Sequence, residues 1–190
     1  SVRDAYTWMA GTIIPRPIAW VSTISPEGRT NLAPFSFFQA VTANPPTLMF
    51  VPVNDRSGGK KDTVRNIEQV PEFVVNLVDE ALADRMHACS TAYPPEVSEA
   101  EELALALEPS SAIRAPRLAD APAALECTLY QTIPIGTRRM LIIGQIRWLH
   151  VRDGILDPDT LRVNLDNYFP VGRMFADRYI RTRDHFTVDT

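Results

Sequence analysis

Two short stretches of this 190-residue chain carry side chains whose types and spacing could do chemistry. The first is DRSGGKKDTVRN, residues 55–66. Glycines ahead of a helix start let backbone N–H groups converge, and the helix N-terminus adds partial positive charge. Lys60, Lys61 and the Thr63 hydroxyl supply further donors. This set fits a monophosphate. A solvated glycine loop that happens to carry lysines fits it as well, and the stretch alone does not separate the two. The second is NLAPFSFF, residues 31–38. Pro34 removes a ladder donor, and Ser36 has room to turn its hydroxyl inward. An arm that stops pairing regularly frees backbone groups for a flat polar heterocycle with donors and acceptors on its edge. An edge strand with a bulge explains the same residues, so both readings stay open at this point.

Other chemistries lack residues. The three histidines, His87, His150 and His185, form no metal-ligand spacing, and each reads as structural. The chain contains no GxSxG elbow, no GxGxxG and no Walker loop, so serine hydrolysis and P-loop phosphoryl transfer have no support. Cys89 and Cys127 lie far apart and read as reduced, buried structural thiols. A formal charge of −4 gives no footprint for nucleic acid, and the late arginines are interspersed with acids. No apolar run reaches the roughly 18 residues of a membrane span, and no signal peptide is visible, so the expectation is a cytoplasmic protein.

The elements that must position these stretches follow from patterning. Residues 12–24 read as a strand entered through prolines, SPEGR as a turn, and residues 30–38 as the returning arm of a hairpin. TLMFVPV reads as a buried strand. The period then changes to an amphipathic helix, with Asp62 or Thr63 as its cap and Val64, Ile67 and Val70 on its inner face. Residues 73–78 form another strand, DEALADRMHACS another helix, and YPPEVSEAEELALALEPSS a surface excursion with a short helix. AALECTLYQTIPI and RRMLIIGQIRWLHVRDGIL, joined at Gly136, read as a hairpin of long, bent strands. Tight turns between strong strands favour a small closed antiparallel barrel decorated with helices over a doubly wound sheet.

Several motifs in order carry a resemblance: PRPIAWVST, NLAPFSFF, the Pro45–Pro46 pair, KDTVRNI, EFVVNL, YPPEVSE, APRLADAPAALEC, and the closing VGRM and YIRTRDHF. Across nearly the whole chain the sequence resembles the flavin reductase-like family, whose fold is the FMN-binding split barrel. The resemblance implies one domain over residues 1–190, a six-stranded antiparallel split β-barrel with inserted helices. It also implies a homodimer with FMN near the interface. Hairpin contacts to the flavin fall on Ser22, Thr23, Asn31, Ala33, Phe35, Ser36 and Phe37. Lys61 and Thr63 would hold the phosphate, with Asp62 as cap or ribityl partner and Arg16 as a further candidate for the phosphate end. Tyr179 and Arg181 would close over the flavin. After Gly172–Arg173 the family pattern calls for small residues, and Met174, Phe175 and Ala176 depart from it, which bears on access of a nicotinamide to the ring.

The implied activity is an NAD(P)H-dependent flavin reductase in which hydride passes from nicotinamide to flavin N5. The flavin carries the chemistry, so no protein acid, base or metal is called for. Reduced flavin could supply a monooxygenase partner. The alternative is an FMN-bound electron carrier, flavoredoxin-like, without significant NAD(P)H activity. An oxidase like the pyridoxamine-phosphate enzymes would need a second phosphate cradle, and no second basic loop is present. A split barrel that has lost flavin is the remaining alternative.

Overall fold

The computed structural model describes residues 1–52, 59–91, 93–94, 97–136 and 139–188. Much of the expected glycine loop, residues 53–58, lies outside them. Helix α1 (Val2–Thr12) opens the described chain, closed at its start by a capping box between Ser1 and Asp4. This corrects the expected strand from residue 12: Thr12 ends a helix, and β1 begins only at Ala19. Strands β1 (Ala19–Ile24), β2 (Thr30–Phe35), β3 (Phe38–Ala43) and β4 (Pro46–Phe50) follow. Helix α2 (Asp62–Gln69) leads into β5 (Glu72–Asn76). Helices α3 (Ala83–Ala88) and α4 (Glu99–Glu102) precede a short ladder of β6 (Leu107–Glu108) with β7 (Arg117–Leu118). The long hairpin is β8 (Ala123–Ile135) and β9 (Arg139–Val151), with Gly136 at positive φ in its turn. Bulges at Glu126/Cys127 and Leu129/Gln131 bend it. Strands β10 (Val171–Arg173) and β11 (Tyr179–Arg181) close the tail.

One antiparallel sheet contains seven strands in the order β2-β1-β5-β8-β9-β4-β3. The expected count of six and the expected closure are both corrected. No ladder joins β2 to β3 among the described residues, so the sheet has two free edges. Yet β2 ends at Phe35 and β3 begins at Phe38. Ser36 and Phe37 alone join opposite edges, and that link spans at most about 11 Å. The sheet must therefore curl until its edges nearly meet at this end, which makes it a barrel split along one seam.

Inside the curl lies a core that includes Ala19, Val21, Phe35, Phe50, Phe73, Val75 and Ile142. Val64 and Ile67 of α2 belong to the same core, so this helix plugs the barrel through the inner face its periodicity predicts. On the other face of β1 and β2, Trp20 and Leu32 pack with Leu82, Met86, Cys89 and Ala100 beneath α3 and α4. Both faces of β1 are thus covered, which explains its unbroken burial. Asn76 ties the excursion back. Its amide donates to the Trp20 carbonyl at 3.0 Å and to Ser22 Oγ at 3.2 Å, and its oxygen accepts the Leu118 N–H at 2.8 Å.

The free edge of β2 is partly covered. The Leu32 N–H points away from β1 and donates to Glu99 Oε2 at 3.0 Å. By the alternation of a ladder, the Pro34 nitrogen faces the same way, where a donor would have no strand to meet. Burial pushes the Glu99 carboxyl above its ordinary value and the Asp62 charge adds to this, while the Leu32 N–H and Lys61 oppose it. The native state therefore keeps this proton to higher pH than the unfolded chain. The stability that results is full below about pH 4 and is lost as pH rises through the raised pKa. Glu99→Gln keeps an acceptor for Leu32 and removes that loss. Its Tm should exceed that of the parent by about 2–4 °C at pH 8, the shift about 1 kcal/mol produces at this size, and should match it at pH 4. A lowered Tm at both pH values would contradict this role. In the core, a Cβ on Gly144 would stand 2.3 Å from Phe73 Cζ and 3.1 Å from Cys127 Cβ. Phe73 is fully buried and has nowhere to swing. Gly144→Ala is expected to cost about 1–3 kcal/mol in denaturant unfolding.

Candidate functional site

A groove runs along the free edge of β2 and the two-residue link, made of three adjoining cavities. The first, about 240 Å³, lies at the start of α2 and is lined by Asn31, Ala33, Lys61, Asp62, Thr63 and Glu99, among others. The second, about 160 Å³, sits on the two-residue link, between Tyr6, Pro34, Phe35, Ser36, Phe37, Val51 and Lys61. The third, about 260 Å³, lies under α1 and is walled by Tyr6, Arg16, Phe35, Ser36, Arg173, Phe175 and Tyr179, among others. Lys61 lines both of the first two, and Tyr6, Pro34, Phe35 and Ser36 line both of the last two. The groove is continuous from a helix start to a pair of arginines.

At the α2 end, Lys61 is the N-cap and Asp62 the first helical residue, and no side chain caps the helix. The expected cap at Asp62 or Thr63 is corrected because both side chains are engaged elsewhere. Asp62 pairs with Arg65, and Thr63 Oγ1 accepts from Asn31 Nδ2 at 3.0 Å. Asn66 Nδ2 donates to Thr23 Oγ1 at 3.0 Å. These two amide–hydroxyl bonds fix the start of α2 against β1 and β2. Lys60 is held by Glu68 at 2.6 Å. Lys61 therefore stands as the cation without a carboxylate partner here, among the described residues, beside an uncapped helix N-terminus. An uncapped helix start with an unpaired ammonium has the donor set and charge for a phosphate monoester. Cys89, in the same cavity, is buried, and its thiol is pushed up to about 12, chiefly by desolvation, which leaves it unreactive.

At the α1 end, Arg16 is buried in a cage of neutral acceptors. Its guanidinium donates to Ser36 Oγ at 3.3 Å and to the carbonyls of Ala10 at 2.5 Å, Ile13 at 2.9 Å and Met174 at 2.8 Å. It also lies 5.9 Å from the Phe37 ring centroid. Arg16 thus anchors α1 and the tail to the seam, and does not line the cavity that holds Lys61 and Thr63. Arg173 lies over the Tyr179 ring at 4.7 Å and donates to its hydroxyl, whose oxygen is 2.7 Å from His87 Nδ1.

Of the residues expected from sequence, Asn31, Ala33, Phe35, Ser36, Phe37, Lys61, Asp62 and Thr63 line the groove, as do Arg16 and Tyr179 at its far end. Three side chains stand elsewhere. Ser22 is fully buried on the outer face of β1, where its hydroxyl donates to the Pro116 carbonyl at 2.5 Å. Thr23 is buried against α2. Arg181 is exposed and paired with Glu80 at 2.6 Å. Sequence reasoning missed Tyr6, Glu99 and Arg173 as groove residues. Glu99 and Arg173 sit inside the motifs YPPEVSE and VGRM, and that was the available signal. Tyr6 had none. Phe175 does narrow the third cavity, and Ala176 beside it holds φ 57°, a conformation glycine adopts without strain. A larger cavity, about 580 Å³, lies away from the groove between Arg85, Arg117, His150 and Arg152, with Asp79, Glu108, Asp120 and Asp153 in the same wall. Arg117 pairs there with Glu108 and Arg152 with Asp79, so that wall is largely self-neutralised.

The geometry has close counterparts. The structure of the Pseudomonas fluorescens 2-nitrobenzoate 2-nitroreductase superposes with a TM-score of 0.93 at 36% identity, covering 100% of this chain and 92% of that one. Nitrilotriacetate monooxygenase component B of Bacillus cereus gives 0.93 at 32%, covering 99% and 94%. A protein of Aquifex aeolicus (strain VF5) is 41% identical over 176 residues, 93% of this chain and 89% of its own. Residues 9–172 match the flavin reductase like domain, and the chain belongs to the flavin reductase-like family.

Proposed function

We propose that this protein is an FMN-binding NAD(P)H:flavin oxidoreductase. The observation that carries the reading is the groove itself: it starts at an uncapped helix whose Lys61 has no carboxylate partner among the described residues, and it follows the free edge of β2, where Pro34 presents no donor. Lys61, Thr63 and the first amides of α2 would hold the 5′-phosphate. Asn31 and Ala33 would line the ribityl chain, and the Pro34–Ser36 edge would meet the flavin ring. The bound flavin would supply hydride chemistry at N5, with NAD(P)H as donor. What the chain contributes is position and partial dryness: Phe35 packs at 5.2 Å on Phe50, and Tyr6 covers Phe37 at 6.3 Å. The similarity to a monooxygenase component B supports supply of reduced flavin to a monooxygenase partner.

A homodimer completes the proposal. Val41 on β3 and Tyr130, Ile135, Trp148 and Leu149 on the β8–β9 hairpin are large apolar side chains left exposed, and β3 is a free sheet edge. A second copy would cover them.

One feature favours the electron-carrier alternative: Phe175 and Tyr6 crowd the α1 end, where a nicotinamide would have to approach. An anaerobic visible spectrum with FMN supplied decides between the two. Bleaching of the flavin band by NADH or NADPH is the expected result, and the faster donor gives the preference. Flavin that dithionite bleaches and neither donor does would overturn the reductase reading in favour of the carrier.

A further inference from the structure

The cavity beneath α1 has a charge pattern that the flavin reading does not use. Two guanidiniums, Arg16 and Arg173, line it, and among the described residues no carboxylate does. Neither has a carboxylate partner among the described residues. Every acceptor of Arg16 is a neutral carbonyl or hydroxyl, although Arg16 is only 7% exposed. A buried cation without a counter-charge is costly, and the half-buried Arg173 in the same wall adds to that cost. The cost is already visible on Arg16, whose pKa is lowered first by desolvation and further by Arg173.

The rest of the wall is aromatic and apolar: Tyr6, Phe35, Phe175 and Tyr179, with Ile18 and Met86. Phe35 and Tyr179 are anchored, by the Phe50 ring and by His87 and Arg173. The volume of about 260 Å³ falls below the range of about 300–1,000 Å³ typical of drug-sized ligands, so one ring and its substituents fit and a dinucleotide does not.

From this geometry we infer that the α1 cavity is a binding site for a small planar aromatic carboxylate, held by Arg173 with the charge of Arg16 beside it and its ring between Phe175, Tyr179 and Phe35. A guanidinium matches a carboxylate through paired N–H donors, and the buried Phe35 and half-buried Tyr179 shield one side of the pair from water. Because the cavity shares Phe35 and Ser36 with the seam, its occupant lies next to the proposed flavin groove. Its assignment as the second substrate's place rests on the flavin reading; the binding of the carboxylate does not.

Calorimetric titration of the protein with benzoate, and with the neutral isostere benzamide, tests the inference with and without saturating FMN. Arg173 is the residue to change, because Arg16 holds α1. Benzoate is expected to bind in both conditions, at least tenfold tighter than benzamide. Arg173→Met should weaken benzoate at least tenfold while benzamide binding stays within about twofold, and Arg173→Lys should restore part of the benzoate affinity. Equal affinity for benzoate and benzamide, an Arg173→Met variant that binds benzoate as the parent does, or no benzoate binding at all would each overturn the site. So would displacement of benzoate by FMN, which would assign the cavity to the flavin itself. A protein that binds benzoate but no FMN would retain the site and refute the flavin reading instead.

Discussion

Ser36 and Phe37 have to join β2 to β3, two strands at opposite edges of a seven-stranded sheet. With so short a link the edges cannot be far apart at that point, so the sheet rolls up without closing. Along the unpaired edge of β2 that remains, the three groove cavities open. Pro34 and Ser36 belong to this constraint: a proline on the outward edge loses no ladder bond, and a serine at the corner can accept from Arg16. The irregular residues of NLAPFSFF are therefore those of a corner between two edges.

Two further elements turn the seam into a polar groove. Helix α2 enters the barrel with Val64 and Ile67 and is locked by the Asn31–Thr63 and Asn66–Thr23 bonds. Because the same bonds hold down β1 and β2, the helix start sits at one end of the seam. Its charge is left for a ligand because Asp62 and Lys60 are taken up by Arg65 and Glu68. At the other end Arg16 gathers α1, the corner and the tail around one guanidinium, which gives that end an unneutralised positive charge. One groove thus offers two cationic ends with an aromatic and backbone-lined middle. The comparison with known proteins fits this architecture, since the family match runs through all the core strands and ends inside β10.

Much of this was legible in the sequence where the information is local. The helix period of α2 and the turn at Gly136 are visible in consecutive residues and landed where expected, whereas the expected break in pairing at Pro34 did not occur: Pro34 lies opposite Trp20 and the register runs on to Phe35. Ser22 shows where local reading ends. On a strand buried on both faces, alternation no longer says which face meets a ligand, and the hydroxyl went to the Pro116 carbonyl, 94 positions away. Arg181 was lost to Glu80 in the same way, 101 positions distant. Helix α1 has mostly exposed apolar residues and only Ala10 buried, so its periodicity gave no inner face to detect. The seventh strand and the open seam follow from pairing order, which no window of residues contains.

The central claim is that the α2 end of the groove grips a flavin by its phosphate. Dissociation constants for FMN and for riboflavin, measured by flavin fluorescence on the parent and on a Lys61→Ala, Thr63→Ala double variant, test it most directly. The account predicts that the parent binds FMN at least tenfold tighter than riboflavin, about 1.4 kcal/mol or more. The double variant should lose most of that gap while its riboflavin affinity stays within about twofold, well under 1 kcal/mol. Equal affinity of the parent for the two flavins, or a gap that survives both substitutions, would contradict it.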